Sequence, residues 1–346
     1  MDRDLALWKG ALMYHSWLDR WDDKRAQRGN ALKCQTVFSL DAHLAFPTPE
    51  NENIGFADFM RLAERAVADA SFFEDPAKSD FNYTWKDGWI EYQSDIKTGV
   101  AQNDRIQAKV TDSIIKKRAL IIFHHWNARS RYKRIAAFLS RRGITVVQIA
   151  MPYHFERSRS ESSYADYMIS SNLGRTLQSV QQAVSDGRKL IRILEREGYE
   201  HISVLGISLG SWIAGLVAAT DRAVRKAGLF LTAGSLADMV WTGDATKHIR
   251  ASLEGQIDTM QLNRVWSPLN LENYTEQLAR PGLELLIVVA TRDTVVRPHL
   301  AEPLITKLNQ AGARVDTLQL NCGHYSFSLP PYILPAGLRT IRFLTG

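Results

Sequence analysis

Three residue types that together can cleave an acyl bond stand where secondary structure would bring them to one edge of a sheet. The first is Ser208, in Gly206-Ile207-Ser208-Leu209-Gly210. The apolar run at 201–205 reads as a short buried strand, and the small-residue stretch 212–219 reads as a helix. A serine at such a strand–turn–helix junction is lifted clear of the sheet. A glycine on either side removes the Cβ atoms that would crowd the turn. The helix that follows points N–H groups and the positive end of its dipole at an oxygen reacting there.

A neutral hydroxyl is a poor nucleophile and needs a base. Asn321-Cys322-Gly323-His324 follows the last strand signal, 315–320, which puts His324 on a loop at the carboxyl edge of a sheet. Reacting groups of open α/β sheets collect at that edge. The chain has nine histidines, and position singles this one out. An acid must orient the imidazole. Thr291-Arg292-Asp293 ends the apolar run 285–290, and Val295-Val296-Arg297-Pro298 leads into the next helix, so Asp293 emerges at the same edge. Asp238, after the strand signal 227–231, is the competing acid.

The elements that must carry these groups alternate from about residue 89 onward. Strand signals at 90–96 and 105–110 flank a polar turn at Asn103-Asp104 and read as a hairpin. Strands at 119–123 and 145–150 enclose a basic helix near 132–139, and a long amphipathic helix spans 172–197. About 45 residues of helical character precede the run 285–290. A helix near 301–310, the strand 315–320 and a helix near 336–343 follow. Alternation of this kind predicts an α/β fold with a mostly parallel central sheet covered by helices on both faces. The expected organisation is an N-terminal helical extension, 1–88, and one α/β domain, 89–346, with a helical cap insertion at about 235–281. In the extension Leu5, Trp8, Leu12, Tyr14, Trp17, Leu18 and Trp21 fall roughly on one helical face and show no convincing strand.

Bulk properties narrow the function classes. Apolar residues are 45% and charged residues 23% of the 346, as in a globular protein with a large core. Cys34 and Cys322 form no metal-ligand spacing, which predicts free thiols in a reducing compartment and no metal site. The mixed-charge start, Met1-Asp2-Arg3-Asp4, lacks a following apolar stretch of signal-peptide type, and no apolar run is long enough to span a membrane. The expectation is therefore a cytoplasmic protein. A net charge of +6 with no recognisable module argues for no nucleic-acid partner, while the Trp- and Tyr-rich extension leaves a peripheral membrane contact open. Nothing in the sequence fixes the oligomeric state.

From about residue 89 to its end, the chain resembles the α/β-hydrolase superfamily. The resemblance rests on Gly206-Ile207-Ser208-Leu209-Gly210 as a nucleophile elbow and on the chain order Ser208, Asp293, His324. More narrowly, Leu194-Glu195-Arg196-Glu197-Gly198-Tyr199 leading into that elbow is similar to the α/β-hydrolase-domain-18-like group, and Met151-Pro152-Tyr153-His154 is similar to a pattern several hydrolases show. The resemblance implies a serine hydrolase of carboxylic esters with a small-molecule or lipid ester substrate and no cofactor. A thioesterase or peptidase would use the same three groups, and a non-catalytic binding protein would need none of them. The oxyanion hole is expected from the backbone N–H of Leu209 and, in the loop His124-His125-Trp126-Asn127, from Trp126. Families usually carry His-Gly at the start of this loop, and here His125 replaces the glycine. His125, His154 and Arg129 are the expected substrate-binding residues, although His154 also suits a structural role. Arg129 belongs to a basic cluster with Arg131, Lys133, Arg134, Arg141, Arg142, Arg157 and Arg159. That cluster reads either as a solvated face or as a site for an anionic substrate group.

Overall fold

The computed structural model describes residues 2–73 and 81–346, with side chains from residue 13 onward. Leu5, Trp8 and Leu12 of the expected apolar face therefore lie outside the described side chains. Helix α1 (Asp2–Asn30) is followed by α2 (Phe56–Ala68) and by a meander of three antiparallel strands: β1 (Tyr83–Lys86), β2 (Trp89–Gln93) and β3 (Arg105–Thr111). β1 is a strand that apolar patterning alone did not reveal. It is four residues long and alternates half-buried with exposed positions, too short for a clear period of two.

Strand β3 runs antiparallel to β5 (Ile144–Ile149), and from there the sheet is parallel through β4 (Arg118–Phe123), β6 (His201–Ile207), β7 (Val224–Phe230), β8 (Glu284–Ala290) and β9 (Arg314–Leu320). The strand order is β1-β2-β3-β5-β4-β6-β7-β8-β9. Successive residues of a strand point to opposite faces, so each central strand feeds two cores. Ile121 and Phe123 enter one with α4 (Leu173–Arg196) and α5 (Leu209–Thr220). Leu120 and Ile122 enter the other with α3 (Lys133–Ser140), α11 (Ile333–Thr345) and Leu18 of α1. Asn172 caps α4 by accepting the Arg175 N–H at 2.8 Å, which sets where that long helix begins.

Between β7 and β8 the chain forms α6 (Leu236–Thr242), α7 (Lys247–Leu253), α8 (Thr259–Val265) and α9 (Thr275–Leu278). Their apolar residues join the core of α2, α4 and α5. Helix α10 (Glu302–Gln310) links β8 to β9. On α1, Leu18 is 1% exposed while Trp17 is 49% exposed. The buried face of α1 runs through Leu18, Asp22 and Ala26, and Trp17, about 100° round the helix from Leu18, is turned away from it. Among the described residues, no helix is long and apolar enough to cross a membrane.

Candidate active site

Strand β6 delivers Ser208 to the carboxyl edge in a backbone conformation of φ 54°, ψ −126°. This left-handed value is costly for a residue with a Cβ, by about 1–3 kcal/mol, and persists only where the surroundings enforce it. The enforcement is visible. A Cβ on Gly206 would lie 2.0 Å from the Gly210 carbonyl oxygen, and one on Gly210 would lie 2.2 Å from that of Phe123. The glycines let the start of α5 press against the end of β6 and against the loop after β4. Ser208 donates its N–H to Phe230 O at 2.8 Å, and Ser211 closes the turn onto Ser208 O.

The loops after β8 and β9 bring the next two groups together. His324 Nδ1 lies 2.7 Å from Asp293 Oδ2. The other Asp293 oxygen accepts the N–H groups of Val295 and Val296, at 2.7 and 2.8 Å. These bonds aim the carboxylate, which is 4% exposed, at the imidazole. Asp238 is engaged elsewhere: it lies in the first turn of α6, and its carboxylate accepts from Asn263 Nδ2 at 2.6 Å.

The loop after β4 has no glycine, and side chains hold its shape instead. Asn127 takes the left-handed conformation, at φ 58°, donates its N–H to His154 Nε2 at 2.9 Å and accepts the Ala165 N–H through Oδ1 at 2.9 Å. His154 Nδ1 faces Pro152 O at 2.8 Å. Both its nitrogens are thus committed to backbone, and the residue expected to bind substrate instead braces the loop. His124 does the same work, with Nδ1 on His125 O and Nε2 accepting the Met151 N–H. These roles require neutral rings. Burial pulls the His154 pKa down to about 3 and holds that of His124 well below its usual value.

His125 is half-buried, and its Nδ1 meets the Tyr132 hydroxyl at 2.6 Å. Its pKa falls to about 4, chiefly through burial and then through repulsion from His324. Trp126 donates its indole N–H to Ala165 O at 2.9 Å. Among the described residues, neither the backbone N–H of Trp126 nor that of Leu209 has an acceptor within the chain.

The basic cluster does not survive as a unit. Arg131 makes two hydrogen bonds to Glu156, at 2.8 and 2.6 Å, and is stacked on Trp89 and Phe155. Arg157 is fully buried against Asp186 at 2.9 Å, and Arg159 pairs with Asp166. Arg129 is exposed and has no ion pair among the described residues. Proximity in sequence had grouped Arg131, Arg157 and Arg159 with Arg129, although each of the three faces a carboxylate of its own.

Residues that sequence patterning missed surround Trp126. His248 of α7 stacks on it with ring centroids 6.0 Å apart, and Tyr164 meets both rings edge-on. Lys33 Nζ lies 4.3 Å above the same ring and donates to Ala245 O at 2.6 Å. Burial brings the Lys33 pKa down to about 8, and burial followed by the lysine charge brings His248 to about 4. No motif marks Lys33, Tyr164 and His248, because their contacts with Trp126 join separate segments of the chain. Both cysteines are free thiols, Cys34 exposed and Cys322 buried. Among the described residues, no group of three or more His, Cys, Asp or Glu side chains could hold a metal ion.

No protein-family model matches the chain, and no curated protein matches it in sequence. Solved structures do match. An acetyl xylan esterase from Paenibacillus sp. R4 aligns with 91% of this chain and 98% of its own, at 14% identity and a TM-score of 0.58. A Pyrococcus furiosus esterase aligns with 76% of this chain and 92% of its own, at 15% identity and a TM-score of 0.53. The acylaminoacyl peptidase of Pyrococcus horikoshii aligns with 77% of this chain but 41% of its own, at 12% identity and a TM-score of 0.59. At these identities the likeness is one of architecture, and with the strand order and the parallel core it shows that the chain has the α/β-hydrolase fold.

Proposed function

We propose that the protein is a serine hydrolase of carboxylic esters, acting through a Ser208–His324–Asp293 triad and an acyl-enzyme intermediate. The observation that carries the reading is the Asp293–His324 hydrogen bond of 2.7 Å at the same sheet edge as a serine in a strained turn. In this reading Ser208 Oγ attacks the ester carbonyl carbon and His324 Nε2 takes its proton. Asp293 holds the ring and stabilises the imidazolium. The tetrahedral oxyanion accepts the free N–H groups of Leu209 and Trp126, which need no reorganisation to receive it. His324 then protonates the departing alkoxide, and a water deprotonated by the same ring releases the acid.

Substrate recognition falls to His125 and to the Trp126, Tyr164 and His248 rings. In this reading the Tyr132 hydroxyl, 2.6 Å from Nδ1, donates to the neutral His125, whose proton on Nε2 is then a donor for substrate. The aromatic surface suits an apolar part of the ester, and the narrower resemblance of the sequence extends the reading to acyl lipids. Incubation with a fluorophosphonate, followed by a chain-length series of p-nitrophenyl esters, tests the proposal. Labelling confined to Ser208, with ester turnover that vanishes in Ser208→Ala, is the expected result. A wild-type protein that neither labels nor turns over any ester of the series would overturn it.

A further inference from the structure

The loops that carry Asp293 and His324 are both gripped by one helix that lies outside the α/β domain in sequence. Asp19 and Asp22 are three apart on α1 and so occupy one face. Asp19 pairs with Arg292, the residue before Asp293, with Arg292 Nε 2.9 Å from Asp19 Oδ1. Asp22 Oδ1 accepts the backbone N–H groups of Tyr325 at 2.7 Å and Ser326 at 3.0 Å, the two residues after His324. Asp22 is 8% exposed. A Cβ on Gly323 would lie 2.5 Å from Asp22 Oδ2, so the residue before His324 is glycine where this carboxylate approaches.

We infer that Asp22 is a positioning residue for His324: its carboxylate fixes the 323–326 turn and thereby the imidazole it presents to Ser208. The inference rests on the triad reading above. Within the α/β domain the turn is held by Arg292 N–H on Cys322 O, at 2.9 Å, and by Gly323 N–H on Ser326 Oγ, at 2.9 Å. The second of these, with Phe327 N–H on Gly323 O at 3.2 Å, reaches across His324. Among the described residues, the N–H groups of Tyr325 and Ser326, immediately after His324, find their acceptor only on α1. A carboxylate is costly to bury, and among the described residues Oδ2 here has no hydrogen-bond partner. That cost is tolerated at a place where Oδ1 takes two donors beside the base. Displacement of a reacting group by an ångström costs about a hundredfold in rate.

The experiment compares Asp22→Ala, which removes the acceptor, with Asp22→Asn, which keeps an oxygen in its place. The readouts are fluorophosphonate labelling rate, kcat and KM on a p-nitrophenyl ester, and thermal unfolding of the full chain. The expected result is a kcat lower by about 10- to 100-fold in Asp22→Ala with KM within about twofold, and recovery to within about threefold of wild type in Asp22→Asn. Gly323→Ala, which drives a Cβ onto the carboxylate, should lower kcat likewise and add little further loss in the Asp22→Ala background. Should Asp22→Ala fail to fold, Asp22→Asn and Gly323→Ala decide alone. A folded Asp22→Ala with wild-type kcat, equal losses in Asp22→Ala and Asp22→Asn, or wild-type kcat in Gly323→Ala would overturn the positioning role while leaving the labelled wild type, and so the triad, intact. Absence of labelling in the wild type would overturn the triad reading first.

Discussion

Asp293 accepts from His324 with one oxygen and from two consecutive backbone N–H groups with the other. The carboxylate is therefore fixed on both sides. An amide in its place could present only one acceptor oxygen and would disturb either the ring or the backbone bonds. Asp293→Asn is expected to lower kcat by about 10⁴. Asp238→Asn, whose carboxylate meets Asn263 instead, should stay within about threefold of wild type. Steady-state kinetics on the two variants check this, and a collapse in Asp238→Asn would show the acid to be the wrong one.

Ser208 sits at φ 54°, a value that glycine tolerates and serine does not. Ser208→Gly should abolish ester turnover and yet raise the unfolding free energy by about 1 kcal/mol, because the strain exceeds the extra chain entropy glycine brings. Urea titrations of the two proteins measure it. A glycine variant clearly less stable than wild type would mean that the turn is not strained.

Gly210 has the opposite sensitivity. Its added Cβ would meet backbone, 2.2 Å from Phe123 O and 2.6 Å from His124 O, and backbone cannot step aside as a flexible side chain can. Gly210→Ala is expected to cost at least about 2–3 kcal/mol and to displace the Trp126 loop. A Gly210→Ala protein with wild-type melting temperature and activity would contradict the packing described here.

The histidines predict the response to acid. His125, His154 and His248 have folded-state pKa values near 4, 3 and 4, and the His124 pKa is also lowered. Unfolded, each titrates near 6.5. The unfolded chain thus binds more protons between about pH 6.5 and 4, and stability present above pH 6.5 is lost as pH falls through that window. Each ring contributes a slope of at most about 1.4 kcal/mol per pH unit. Unfolding free energies measured from pH 7.5 to 5 should decline steeply, starting near pH 6.5. A flat profile over that range would show that the rings are protonated in the folded state.

Much of this architecture was legible in the residues. Strands β4 to β8 carry apolar runs while β2, β3 and β9 mix apolar with polar residues, and Ser208, Asp293 and His324 can be chosen because each lies on the turn or loop after a strand signal. What was not legible is contact across long separations. The carboxyl of Asp22 looks like any solvated helix residue until the 323–326 turn is seen docked on it. Arg131 reads as a free cation until Glu156 is found beside it, and His154 as a pocket residue until the Asn127 N–H is found on its ring. The edge strand β1 escaped for another reason: a half-exposed strand carries almost no hydrophobic signal.

The 303 residues separating Asp22 from Tyr325 bear on the order of assembly. Contacts so remote in sequence close late, after the entropy of the intervening chain has been lost, and domains are made from the N-terminal end forward. Helix α1 therefore leaves the ribosome well before the 323–326 turn and must wait for nearly the whole sheet before its acceptor finds the two N–H groups it serves. Until then its acidic face is without those partners and the 323–326 turn lacks one of its anchors. A nascent or truncated chain that holds a fully formed serine turn but lacks this docking is expected to turn over esters about 10- to 100-fold more slowly, as in Asp22→Ala.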